Sequence, residues 1–263
     1  GHINEISEPF VGHHDFNSAW ESTAARNHLR YGLLTTKFAT VRHSGPMEPA
    51  QFTFSYHHPP LVPILAAGIF AVFGVHEWTA RLTAIFFSLG SVVLVFLIGR
   101  RLLGEWGGLT ATGLFALFPM TAYFGRMLNH EAPVGFFMLL SVFAYSRWCD
   151  SKNWVAFAVM IGAFVAGCLC GWPAYYVAAI LPVHHFIRFR RNEFAPRILW
   201  LPIVAVLVFA LYLGHVLALA GTAALVELKG ILAYRIGHGT ARDFSWAALP
   251  MIQWNRLVQL FTW

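Results

Sequence analysis

Long apolar runs, broken by short basic or glycine-containing stretches, fill the chain from residue 59 onward. A helix needs about 20 mostly apolar residues to cross roughly 30 Å of hydrocarbon. Residues 78–99 form such a run, with Arg81 near its start, and residues 106–125 form a second run without a charge. Residues 132–148 are shorter and carry only Arg147, at their end. Residues 153–187 hold 35 positions without a charge. A helix of that length measures roughly 52 Å, too much for one crossing. Gly171-Trp172-Pro173 lies in its middle and predicts a turn between two spans. Residues 198–221 add 24 positions with His215 as the one ionisable side chain. The pattern predicts an all-α, polytopic transmembrane bundle with six spans between residues 78 and 221.

The run 59–74 has 16 residues and opens on two prolines. As a helix it measures about 24 Å, which suits a short span or a helix lying at the interface. Charge decides between them. If it does not cross, Arg100, Arg101, Arg147, Lys152, Arg188, Arg190, Arg191 and Arg197 share one side, against Arg126 alone in the opposite short loops. The positive-inside rule makes the arginine-rich side cytoplasmic. The chain then reads as a single membrane-embedded module. Residues 1–77 are an outer loop with interfacial helices, residues 78–221 the six spans, and residues 222–263 a second outer loop. It begins on Gly rather than Met, with no signal-peptide pattern, and reads as a fragment with at least one leading span missing.

Composition agrees. Hydrophobic residues make up 57% of the 263, charged residues 11%, and mean hydropathy is +0.58. An average soluble domain carries about 25% charge, so water-soluble, disordered and disulfide-stapled classes are excluded. The net charge of +6 belongs to cytoplasmic loops rather than to nucleic-acid binding. Cys149, Cys168 and Cys170 lie in or beside apolar runs and read as small buried side chains. Trp20, Trp78, Trp106, Trp148, Trp154 and Trp172 fall near proposed boundaries and read as belt aromatics. His184-His185 reads as an interfacial pair with wet tips.

Polar chemistry collects on the outer side. The first outer segment contains His13-His14-Asp15-Phe16-Asn17, then Trp20-Glu21, then residues 24–32, which read as an amphipathic helix ended by Gly32. Tyr56-His57-His58-Pro59-Pro60 follows, and two spans later Arg126-Met127-Leu128-Asn129-His130-Glu131. Asp15 and Glu131 stand out because two crossings separate them, so they share a face. Two acids on one wet surface suit general-base work or binding of a divalent metal ion. His14, His57, His58 and His130 lie in the same regions and suit phosphate or metal contact, although no zinc-type ligand spacing appears. Arg81, about one turn inside its span, faces either Glu77 at i, i+4 or an anionic headgroup.

The ordered set of these pieces resembles a known family. An outer-loop Asp, an amphipathic helix, His58-Pro59-Pro60-Leu61, Phe73-Gly74-Val75-His76-Glu77-Trp78-Thr79-Ala80-Arg81-Leu82, Arg100-Arg101-Leu102-Leu103-Gly104 and a second outer acid follow one another. This looks like the bacterial branch of the dolichyl-phosphate-mannose protein mannosyltransferase family, GT-C-fold glycosyltransferases related to the aminoarabinose lipid A transferases. The resemblance implies a polyprenyl-phosphate sugar donor and transfer with inversion. It also implies an active site on the outer face of a prokaryotic cytoplasmic membrane, and a lipid, glycan or protein acceptor. It makes Asp15 the catalytic base or a metal ligand and Glu131 its partner. Relatives often carry Lys before the Pro-Pro pair, where this chain has His58, a weaker phosphate anchor when neutral. Relatives also carry a Lys beside the turn that is Gly171-Trp172-Pro173 here, and several have Asp in place of Glu131.

The chemistry stands beside the resemblance. An attacking hydroxyl must lose a proton, and a positioned carboxylate takes it. The departing phosphate needs positive charge, for which His57, His58 and Arg126 are candidates. A transporter or flippase is the rival reading, but it would place ionisable groups at mid-span, and the runs here are nearly charge-free.

Overall fold

The structure is a computed structural model that describes residues 4–10, 15–189 and 195–235. It contains α1 (Asp15–Tyr31), β1 (Thr40–Val41), β2 (Phe54–Ser55), α2 (Leu61–Phe73), α3 (Glu77–Leu117), α4 (Pro119–Phe124), α5 (Glu131–Ser151), α6 (Trp154–Cys170), α7 (Tyr176–Arg188) and α8 (Trp200–Arg235). The two strands pair antiparallel, with Thr40 opposite Ser55. The chain divides into two compact units, Gly1–Leu213 and Gly214–Trp263.

The first unit is a helix bundle. Helices α3 and α5 are long and apolar enough to cross a membrane, and so is the stretch Pro196–Gly230. Each apolar run of the sequence is helical, with instructive differences at the ends. Helix α3 covers the first two runs and folds back at Gly104, whose φ of 78° is open to glycine without strain. Its two arms meet through small residues. A Cβ on Gly99 would lie 3.0 Å from Gly108 Cα, and one on Gly108 would lie 2.7 Å from Arg100 N. The second run stops at Leu117, eight residues short of Gly125, because extended Phe118 precedes Pro119. Pro119 then opens the short α4. The Gly171-Trp172-Pro173 turn is present, as extended Gly171 followed by a 3₁₀ turn, Trp172–Tyr175. In the second unit the described residues are helical to Arg235, past a kink at Gly221, so residues 222–235 are helix rather than loop.

The core lies between α2, α5, α6, α7 and the start of α8, around Leu128, Trp148, Met160, Phe164 and Ile198. Cys168 and Cys170 are buried there as free thiols. Two expectations change. Trp148 is a fully buried core side chain and not a belt residue, whereas Trp106 is 83% exposed. The tip of His185 is not wet either, because its side chain has 0% exposure. The Tyr145 hydroxyl lies 2.8 Å from His184 Nδ1 and 3.3 Å from His185 Nδ1 and takes the place of water at those atoms, while His185 Nε2 is buried without a hydrogen-bond partner among the described residues.

Helix α1 starts earlier than the amphipathic pattern indicates. Asp15 in its first turn and Arg30 in its last complement the helix dipole. Gly32, at φ 82°, ends it, its N–H donating to His28 O at 3.0 Å. The buried face of α1 holds Ala24 and Ala25 and packs on α2. A polar side is also internal. Asn27 Nδ2 donates to Val41 O (2.8 Å) and His43 O (2.9 Å), and Arg26 donates to Ser44 O.

Candidate functional site

Both singled-out acids open helices, Asp15 at the start of α1 and Glu131 at the start of α5. The unpaired N–H groups and dipole of a helix N-terminus favour a carboxylate there. Between α4 and α5 runs the loop of residues 126–131, anchored by buried Met127, Leu128 and Asn129. Ser88 Oγ donates to Gly125 O at 2.9 Å and ties the loop to α3. Asn129 Oδ1 accepts from the His130 N–H at 2.7 Å and fixes the turn into α5.

The His57–His58 segment meets this loop. The His58 and His130 rings stack at 4.2 Å and 25°. His130 Nε2 lies 3.6 Å from Glu131 Oε1, a pair that becomes ionic when the imidazole is protonated. Trp172 Nε1 donates to His57 O at 3.0 Å, and the Tyr212 hydroxyl donates to Tyr56 O. The turn after α6 presses on the same place: a Cβ on Gly171 would meet Val134 Cγ2 at 3.0 Å and His130 Cδ2 at 3.4 Å. Three parts of the sequence far apart in the chain thus hold the histidine pair.

Helix α1 lies within electrostatic range of the same loop. The charges of Asp15 and Arg126 act with opposite sign on the Tyr123 phenol. The charge of Glu131 acts on the Glu21 carboxyl, one and two-thirds helical turns beyond Asp15. His58, His130 and Glu131 are in contact, and the charges of Asp15, Arg126 and Glu131 act on residues of α1 and α4 beside them.

Glu21 is the acid that pattern reading passed over. Its side chain is only 13% exposed, and Arg42 Nη2 sits 3.0 Å from its Oε1. Burial pushes its pKa up, the Arg42 guanidinium pulls it back, and Glu131 adds to the rise. In the sequence it looks like one more polar residue on a loop. The signal was its place on the helix that Asp15 begins.

Arg81 has other work. Its Nη1 donates to Ile6 O and Glu8 O, both at 2.7 Å, and the guanidinium lies 4.9 Å from the Phe10 ring centre. Among the described residues it makes no ion pair with Glu77. It holds the leading segment against α3. His14 lies outside the described residues. Among the described residues no three His, Cys, Asp or Glu side chains group closely enough to hold a metal ion.

A family model for dolichyl-phosphate-mannose-protein mannosyltransferase matches residues 57–217. The chain belongs to this family. The matched stretch carries Glu131 and the stacked histidines, and Asp15 lies before it. Among solved structures the chain is similar to ArnT from Cupriavidus metallidurans in the apo state, with a TM-score of 0.57 at 16% identity. The match covers 94% of this chain and 44% of ArnT, so the chain spans less than half the length of that protein. No curated protein matches it. Fold and family agree on a GT-C-type, all-α membrane architecture of the mannosyltransferase kind.

Proposed function

We propose that the protein is an integral membrane glycosyltransferase that moves a sugar from a polyprenyl-phosphate donor to an acceptor hydroxyl, with inversion, on the extracytoplasmic face. One observation supports this reading: the charges of Asp15 and Arg126 both reach Tyr123, and that of Glu131 reaches Glu21 on the helix that Asp15 begins. Two crossings by the arms of α3 would return the chain to the side it left and give both acids one face.

Asp15 is the base. It accepts the proton of the acceptor hydroxyl as the oxygen attacks the anomeric carbon from the side opposite the phosphate, and attack from that side inverts the centre. Glu131, 43% exposed, orients the acceptor. Arg126 and the His57, His58 and His130 group face the charge that grows on the leaving phosphate. The His130 ring, between His58 and Glu131, becomes a cation on protonation and supplies part of the charge that a lysine before Pro-Pro would carry. Arg81 positions the leading segment. A divalent ion held by Asp15 and Glu131 would add positive charge against the departing phosphate.

The test is transfer by the full-length protein in proteoliposomes, with polyprenyl-phosphate mannose as probe donor. Asp15→Asn is expected to lower turnover by about 10²–10⁴-fold. Undiminished transfer by that variant overturns the base assignment, and substrate uptake without transfer overturns the enzyme.

A further inference from the structure

The roles proposed for the reaction leave the Glu21–Arg42 pair without a use. It is an expensive thing to keep. A buried ion pair loses hydration that its attraction only partly returns, and well-packed apolar residues often serve stability as well or better. Here the cost is greater, because a second carboxylate, Glu131, acts on the first.

Its position explains what it does. The face that α1 lays on α2 is small and uncharged. Ala25 meets the cluster of Val62, Ala66, Ala67 and Phe70, and α2 has no ionisable side chain. Such a face fixes the distance between helices but resists rotation weakly. Rotation is resisted by polar ties to the segment 36–44. Asn27 to Val41 O and His43 O, Arg26 to Ser44 O, and His28 Nδ1 to Thr36 Oγ1 at 2.8 Å all lie in the second half of α1. The Glu21–Arg42 tie lies nearer to Asp15 than any of these. Arg42 is itself steadied, its guanidinium 4.7 Å from the Trp20 ring centre.

We propose that Glu21 and Arg42 form a positioning pair that fixes the rotation of the Asp15 half of α1 against the Glu131 loop. The catalytic meaning of the pair rests on the glycosyltransferase reading, but its geometric meaning does not. A displacement of about 1 Å at a reacting group is enough to cost a hundredfold in rate, so a small rotation of α1 is visible in turnover.

The experiment uses the full-length protein in nanodiscs and has two arms. In the first, spin labels are placed on A19C in α1 and E105C at the far tip of α3, both outside the pair. A narrow distance distribution is expected, broadened or shifted in E21Q and in R42Q. In the second arm, with polyprenyl-phosphate mannose as donor, E21Q lowers kcat about tenfold with KM within about twofold of wild type. E21C/R42C is equally slow and recovers to within about threefold when a short bismaleimide joins the two thiols. E21Q is close to isosteric and keeps the test alive if R42Q fails to fold. Unchanged distances in both variants, or a cross-link that restores nothing, overturn the proposal. If the wild-type chain transfers no sugar, the functional reading falls and the spin-label distances alone decide the pair.

Discussion

The two ends of α5 use the same kinds of side chain for opposite purposes. At its start, Glu131 is partly open to water and only 3.6 Å from a half-exposed histidine, and its charge reaches Glu21 across a gap between elements. At its end, Trp148 is fully buried, and the Tyr145 hydroxyl serves both His184 and His185. Lys152 donates to Cys149 O at 2.8 Å and lies over the rings of Trp148 and Phe189. The far end packs its rings out of reach of water, with Trp148 Nε1 and His185 Nε2 buried without a hydrogen-bond partner among the described residues, and becomes a clamp. The near end keeps Glu131 43% exposed and so open to a substrate. A histidine or an acid in this bundle says little by type. How far its neighbours have buried it separates mounting from chemistry.

The comparison breaks most readily at the clamp. Trp148→Ala is expected to cost about 3–5 kcal/mol of stability, read as a large fall in the unfolding temperature in detergent, with turnover per folded molecule unchanged. If turnover falls and stability holds, the two ends have been assigned the wrong way round.

A smaller effect tests whether the outer end also has an internal part. Burial holds the pKa of His28 at about 4, against 6.5 when free. Below pH 6.5 the unfolded chain therefore binds a proton that the folded chain refuses. The stability linked to His28 is complete above pH 6.5 and declines by up to about 3 kcal/mol as pH falls to 4. Unfolding midpoints from pH 7 to 4.5 should fall less steeply in His28→Gln than in wild type; equal slopes would show that His28 is wet.

At the near end, Glu131→Gln should lower turnover about a hundredfold and shift the unfolding temperature by no more than a degree or two. Tyr145→Phe should cost about 1–2 kcal/mol by leaving two imidazoles short of a partner, without changing turnover of the folded protein. Arg101→Gln comes last. Its ion pair with Asp150 is solvent-exposed, with 53% of the aspartate side chain open, so a loss of less than about 1 kcal/mol is expected. A double-mutant cycle with Asp150→Asn would measure it.

Much of the bundle was legible because lipid imposes a simple rule: an apolar run of sufficient length becomes a helix whatever its neighbours. The helicity of the runs, the Gly171-Trp172-Pro173 turn and the reversal between the first two runs follow from that rule and from glycine and proline chemistry. Helix α1 was half legible, since its later part shows a pattern ended by Gly32. Its first part is marked only by Asp15, because it packs with alanines and polar ties rather than an apolar stripe. Glu21 was invisible because its partner, Arg42, lies 21 residues away and the contact depends on the β1 segment crossing α1. His185 and Trp148 misled for the reverse reason. Boundary position in sequence predicts a wet tip, and only tertiary packing reveals that Tyr145 and Cys149 stand where water would be.

The close approach of Gly99 and Gly108 carries one more lesson. Two helices immersed in hydrocarbon gain nothing from expelling water, so the arms of α3 are held together by fit between main chains. A joint of that kind is indifferent to what the wet end of the protein displays. The residues of the 126–131 loop are free to be exchanged for other chemistries while the hinge-less mount beside them keeps its shape, which makes this hairpin the conservative half of an adaptable machine.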